Sequence, residues 1–212
     1  MAGCSSAEAG NGGNADDDKL SIVATIFPEY DWAREIVGDT ESVELTLLLD
    51  SGVDLHSYQP TAEDIIRIST CDLFIYVGGE SDDWVEGALR EAANEDMTVI
   101  CLLDVLGDAV KTEETVEGMQ EEHEHEDGED HEHEEAVDEH VWLSLKNAEL
   151  FCAHIASELE RLDSANAAAY AANAEAYMAE LAALDAQYEE AVDAAAGKTL
   201  LFGDRFPFRY LV

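Results

Sequence analysis

Four histidines, His123, His125, His131 and His133, alternate with twelve acids between Glu121 and Glu139, and this run leads directly into His140. Neutral imidazole and carboxylate are the ligand types that borderline-soft divalent metals such as zinc accept, so the chemistry implied is metal handling. The tract has no aromatic and only two aliphatic residues, Ala136 and Val137. It cannot bury enough apolar surface to offset its chain entropy and reads as a disordered, metal-attracting loop. A defined site therefore has to come from residues around it. Asp54-Leu55-His56-Ser57-Tyr58-Gln59-Pro60 places a histidine between a carboxylate and an aromatic hydroxyl in a turn fixed by proline. That suits a metal ligand with groups to orient it, and it suits a surface histidine equally well. His140 stands where the tract meets the apolar anchor Val141-Trp142-Leu143, in position either to ligate or merely to end the run. His154, inside Phe151-Cys152-Ala153-His154-Ile155, reads as a structural residue of a helix.

Composition bounds what these residues can serve. The 212 residues, 47% hydrophobic, suffice for one domain core plus a fragment of another. The formal charge is −40, and the 38 acids outside the tract still outnumber the ten basic residues. Such a surface repels nucleic acid and anionic headgroups and concentrates cations, without specifying a fold. Cys4, Cys71, Cys101 and Cys152 form no CxxC pair, which argues against a cysteine metal site or a dithiol redox motif. The last three sit in apolar contexts and read as core. Met1-Ala2-Gly3-Cys4-Ser5-Ser6, followed by a polar stretch to Asp18, resembles the end of a bacterial lipoprotein signal, with Cys4 the residue to be lipidated. No apolar run approaches the ~18 residues of a membrane span, so a lipid on Cys4 is the only anchor expected.

The elements that must position the histidines follow from periodicity. Ser21 to Ile26, Val43 to Leu49, Asp72 to Val77 and Met97 to Leu103 read as four strands. Between them lie helical segments from Pro28 to about Gly38, from Thr61 to about Cys71, and from Ser81 through Glu95. The alternation predicts an α/β fold with a parallel four-stranded sheet and helices on both faces. Sites in such sheets lie beyond the carboxyl ends of the strands, where the loops after strands two and four hold His56 and His140. A helix to about Arg161 follows. A second runs from Ser164 to Ala196, with sixteen alanines and an apolar stripe of Tyr170, Tyr177, Leu181, Leu184, Tyr188 and Val192. At ~1.5 Å per residue it spans roughly 50 Å and is expected to act as a strut, capped by Gly197. Thr199 to Gly203 reads as a new strand. The expected domains are a tether over 1–19, an α/β metal-binding lobe over 20–163 with the loop at 113–139, a linking helix over 164–197, and the start of a truncated second lobe over 198–212.

Taken together, Phe27-Pro28, Asp54-Leu55-His56-Ser57-Tyr58-Gln59-Pro60, Gly78-Gly79-Glu80 with Trp84, the acidic loop, His140-Val141-Trp142-Leu143-Ser144 and the long helix resemble the zinc- and manganese-specific solute-binding proteins of bacterial ABC transporters. The likeness is strongest to the zinc-binding branch with a His-rich loop, and it spans Leu20 to Val212. It implies two α/β lobes bridged by a rigid helix, one metal between them, and His56 and His140 as the ligands of the first lobe. It also implies a membrane permease and an ATPase as partners, a monomeric receptor outside the cytoplasm, and His123, His125, His131 and His133 as an accessory loop. The family's third histidine falls at Arg205, which cannot ligate; Asp204 beside it is the substitute, and the acidic fourth ligand would lie beyond Val212. Imidazole ligands favour Zn2+ over the harder Mn2+. With two histidines, zinc binding by this chain is expected to be weak, completed by loop histidines or water, and to weaken as falling pH protonates the imidazoles.

Other classes are less well served. The chain has no GxSxG, HExxH, P-loop or GxGxxG, so an enzyme is not expected. A metallohydrolase would have to use Glu80 or Asp54 as its base. A metal buffer or chaperone working through the tract alone predicts several weak sites and indifference to the loss of His56.

Overall fold

The computed structural model describes residues 19–50, 52, 54–112, 137–202 and 206–212. Four parallel strands, β1 (Leu20–Ala24), β2 (Val43–Leu47), β3 (Leu73–Tyr76) and β4 (Thr98–Cys101), form one sheet in the order β2-β1-β3-β4. Helices α1 (Phe27–Val37), α2 (Ala62–Thr70), α3 (Trp84–Arg90), α4 (Leu102–Leu106), α5 (Leu145–Leu162) and α6 (Ala167–Ala194) complete the described regular structure, apart from single 3-10 turns. This is the expected α/β architecture.

The two-residue alternation of the strands divides the core between the sheet's faces. Ile22, Leu73, Ile75 and Ile100 pack with Trp32 and Ile36 of α1, Phe151 and Ile155 of α5, and Tyr170 of α6. Val23 and Phe74 turn the other way, onto Ile68 of α2 and Val85 and Ala88 of α3. Each fully buried aliphatic side chain contributes about 1.5–3 kcal/mol. Cys71, Cys101 and Cys152 are buried thiols, as core residues should be, and burial pushes Cys71 and Cys152 up to about 12.

Helix starts are set by side chains that take up orphan backbone donors. Thr61 Oγ1 accepts the Asp64 N–H at 3.2 Å while Asp64 Oδ2 accepts the Thr61 N–H at 2.9 Å, a reciprocal cap for α2. Ser144 Oγ accepts the Asn147 N–H at 3.3 Å at the start of α5. At α1 the preceding Ile26 has no polar atom to offer. Glu29 instead reaches back, its Oε2 accepting from the Thr25 N–H, the Thr25 hydroxyl and the Ile26 N–H at 3.0, 2.9 and 3.1 Å.

Several expected elements are shorter than their sequence patterns. The helix anticipated from Ser81 through Glu95 is a 3-10 turn, Glu80–Asp82, followed by α3. The fourth apolar run splits, because Cys101 ends the strand and Leu102 immediately begins α4. The long helix covers Ala167–Ala194 and stops before Gly197. Its first half is not a free strut. Tyr170 and Ala174 are buried, Tyr177 donates to Asp31 Oδ2 at 3.2 Å, and Asn173 Nδ2 donates to the Ile36 carbonyl at 3.0 Å. Further along, Lys146 of α5 holds Asp185 and Glu189 at 3.4 and 2.9 Å, while Leu184, Tyr188 and Val192 stay exposed. Thr199–Phe202 has no strand structure, in place of the expected strand; a strand needs a hydrogen-bonded neighbour, and none lies alongside among the described residues. Among these residues no helix is long and apolar enough to cross a membrane.

Candidate metal centre

The loop after β2 and the segment between α4 and α5 bring His56 and His140 together, with ring centres 5.5 Å apart and planes at 41°. Two imidazoles on one tetrahedral zinc at ~2.0–2.1 Å would place their ring centres about 5 Å apart. The observed pair is close to that arrangement.

Each histidine is held by the same local device. Asp54 Oδ1 accepts both the His56 backbone N–H and Nδ1 at 2.9 Å. Asp138 Oδ1 does the same for the His140 N–H and Nδ1, again at 2.9 Å. An aspartate two residues before a histidine thus caps the turn and fixes the ring in one stroke. With Nδ1 committed as the donor to a carboxylate, Nε2 is the nitrogen left to bind a cation. The two halves differ in setting. Asp138 and His140 have side chains only 1% and 13% exposed, whereas Asp54 and His56 are 69% and 42% exposed.

Anchors on either side hold the loops. Leu55 is buried, and the Tyr58 hydroxyl donates to Asp64 Oδ2 at 3.0 Å, tying the His56 turn to the first turn of α2. Burial raises the Asp64 carboxyl, but the Thr61 N–H, the Thr61 hydroxyl and the Tyr58 hydroxyl outweigh it and leave the pKa lowered. The aromatic hydroxyl expected to orient His56 is therefore an anchor of the loop, and the ring is oriented by Asp54. On the other side Val141 is buried, Asn147 Nδ2 donates to its carbonyl at 3.1 Å, and the Trp142 ring lies 5.3 Å from that of His140. Glu139 turns inward, and its Oε1 accepts the Ser81 N–H at 2.8 Å. Gly79, at φ +83°, makes room for it, since a Cβ there would lie 2.4 Å from Glu139 Oε1.

Behind the imidazoles lies a group of buried acids. Glu29 Oε1, Asp82 Oδ1 and Glu139 Oε2 are each buried without a hydrogen-bond partner among the described residues. Burial, reinforced by the charge of Glu139, pushes Asp82 up to about 6, and burial raises Glu29 well above the usual carboxylate range. No cluster of three or more His, Cys, Asp or Glu converges on a metal position among the described residues.

Of the residues singled out from sequence, His56 and His140 are brought together, while His154 is exposed on α5, apart from the pair. His123, His125, His131, His133, Cys4, Asp204 and Arg205 lie outside the described residues. Asp138 and Glu139, counted with the acidic tract from sequence, are buried parts of the folded lobe. The signal that could have separated Asp138 was present: Asp-x-His occurs at 54–56 and again at 138–140. No sequence pattern marked Arg209, whose Nε lies 3.2 Å from Asp138 Oδ2.

A parallel α/β lobe with two carboxylate-backed imidazoles side by side offers nitrogen donors of the type that divalent cations accept. The chain belongs to the ZnuA family, the periplasmic component A of zinc-uptake complexes, whose family model matches residues 22–212. It is 31% identical over 201 residues to the high-affinity zinc uptake system protein ZnuA of Bacillus subtilis, a match covering 95% of this chain and 60% of that protein. Among solved structures, the metal-dependent lipoprotein YcdH of B. subtilis superposes with a TM-score of 0.71 at 27% identity, over 91% of this chain and 63% of the other. Zn(II)-bound AdcA of Streptococcus pneumoniae gives 0.69 at 27% identity, over 91% and 37%. The chain thus spans less than two thirds of the length of these relatives.

Proposed function

We propose that this chain is the metal-capturing part of an extracytoplasmic receptor that binds Zn2+ and delivers it to an ABC importer, with His56 and His140 as ligands through Nε2. The observation that carries this reading is the doubled Asp-x-His device, which holds two pre-oriented imidazoles with ring centres 5.5 Å apart. Family membership and the zinc-bound relative support zinc as the cargo. The remaining coordination positions are taken by Asp204, by histidines of the acidic tract or by water, and His123, His125, His131 and His133 act as a low-affinity collector. The lobe over 20–163, the linking helix and the segment from 198 follow the family's order. Lipidation of Cys4 would tether the receptor, in keeping with the lipoprotein among its structural relatives. The partners are a membrane permease and its ATPase. The reaction is capture and release of a cation, for which no nucleophile or base is required.

Zinc titration by competition with a chromophoric chelator tests the assignment on the chain, on His56→Ala, on His140→Ala and on a version lacking 121–135. Loss of the tightest site in both histidine variants, with the loop deletion removing only weaker sites, is the expected result. Unchanged affinity in His56→Ala overturns it and favours a buffer acting through the tract.

A further inference from the structure

Asp138 makes contacts through both of its carboxylate oxygens. Its Oδ1 serves the His140 N–H and Nδ1, and its Oδ2 faces Arg209 Nε at 3.2 Å. The contact is an ion pair rather than a directed hydrogen bond, since Nε finds no hydrogen-bond acceptor among the described residues. Asp138 is 1% exposed and Arg209 19%. A carboxylate this deeply buried is costly unless a positive group compensates it, and an imidazole donor on one oxygen leaves the other to be satisfied.

The segment carrying Arg209 is itself fastened to the base of the acidic tract. The Tyr210 hydroxyl accepts the Lys111 N–H and donates to the Asp138 carbonyl, both at 2.8 Å. Lys111 Nζ donates to the Arg209 carbonyl, and the guanidinium lies 5.9 Å above the Phe206 ring. Asp138 N–H donates to the Lys111 carbonyl at 2.9 Å, beside a Thr112–Val137 bridge. One segment far along the chain thus grips both the side chain and the backbone of the residue that orients His140.

We propose that Arg209 is a positioning residue for the metal ligand His140, acting through Asp138 and not by touching the metal. The assignment rests on the reading of His140 as a ligand. It gives the buried side of the site a charged relay, guanidinium to carboxylate to imidazole, while His56 is oriented by the exposed Asp54. Segment 206–212 becomes part of the metal site's framework, and its docking sets whether His140 is held for binding.

The sign of the effect separates this relay from simple electrostatics. Removing a positive charge from the neighbourhood of a cation site would by itself tighten zinc binding. Removing a group that positions a ligand weakens it, typically 10–100-fold for partners of this kind. Zinc affinity is measured for the chain, Arg209→Gln, Asp138→Asn and the double variant, alongside His140→Ala. The expected result is a loss of roughly 10–100-fold in Arg209→Gln that largely disappears in the Asp138→Asn background. Long-range 15N spectra of the metal-free protein supply a readout that general loosening would not produce: His140 loses its fixed Nδ1–H tautomer in Arg209→Gln while His56 keeps its own. Unchanged or tighter binding, an equal loss in both backgrounds, or a change at both histidines overturns the relay. If Arg209→Gln does not fold, Arg209→Met, which keeps the stem and drops the charge, is judged by the same outcomes. Unchanged affinity in His140→Ala would instead remove the underlying ligand assignment.

Discussion

Asp82→Asn should make the protein more stable at neutral pH, and the gain should vanish in acid. Asp82 is 4% exposed; one oxygen accepts the Gly78 N–H at 2.9 Å and the other has no partner among the described residues. Burial, with Glu139 adding negative charge, moves its pKa from 3.8 to about 6. A carboxyl raised by folding favours the folded state while it is protonated. Its contribution is fully present below 3.8 and is lost as the pH rises through about 6. A shift of roughly two pH units at 1.36 kcal/mol each corresponds to about 3 kcal/mol of strain at pH 7. Asparagine keeps an oxygen for the Gly78 N–H, carries no charge, and turns an NH2 where the unpaired oxygen was. Urea unfolding followed by tryptophan fluorescence should show the variant's midpoint about 1–3 M higher at pH 7, converging with the wild type near pH 4. Glu29 is raised mainly by its burial and in part by the charge of Asp82, so relief at Glu29 adds to the variant's gain in the same direction. A gap that stays constant between pH 4 and 7, or a wild type that is the more stable at pH 7, would refute the reasoning.

Two further outcomes follow from the site. Gly79→Ala places a Cβ against Glu139 at a φ that costs an L-residue about 1–2 kcal/mol, and it forces Glu139 off the Ser81 N–H. Destabilisation of about 2–4 kcal/mol is expected in urea unfolding, together with weaker zinc binding, because Glu139 is the neighbour of His140. Asp138→Asn should weaken zinc binding more than Asp54→Asn, since water can replace the 69% exposed Asp54 but not the 1% exposed Asp138; chelator competition on the two variants decides, and equal losses would count against the asymmetry.

The four strands and their parallel direction were legible because their apolar runs match the burial they obtain. Ile22, Val23 and Ala24 read as a buried strand and are one. The histidine pair was legible because His56 and His140 both occupy loops that a parallel sheet must place at one end. Element ends were harder to read. The run from Met97 to Leu103 is apolar throughout, and nothing in its composition marks the change from strand to helix at Leu102. The alanine-rich stripe of α6 is continuous from Tyr170 to Val192, so its sequence does not reveal that Tyr170 and Leu181 are buried while Leu184, Tyr188 and Val192 stay exposed. The roles of Glu29, Asp82 and Glu139 were hidden for a different reason. In a chain with fifty acids, composition gives no ground for distinguishing a buried carboxylate from a solvated one. Arg209 was invisible because its partner, Asp138, is 71 residues away and only the fold brings them together.

The Tyr210 hydroxyl holds Lys111 and Asp138 at once, so the described residues on either side of positions 113–136 are drawn together in one ring of hydrogen bonds. Thr112 and Val137 pair beside it, so the chain leaves the lobe and rejoins it at one spot. That ring is a seam: a change in the number of residues between Thr112 and Val137 would leave its partners in place, and with them Asp138 and the imidazole it holds.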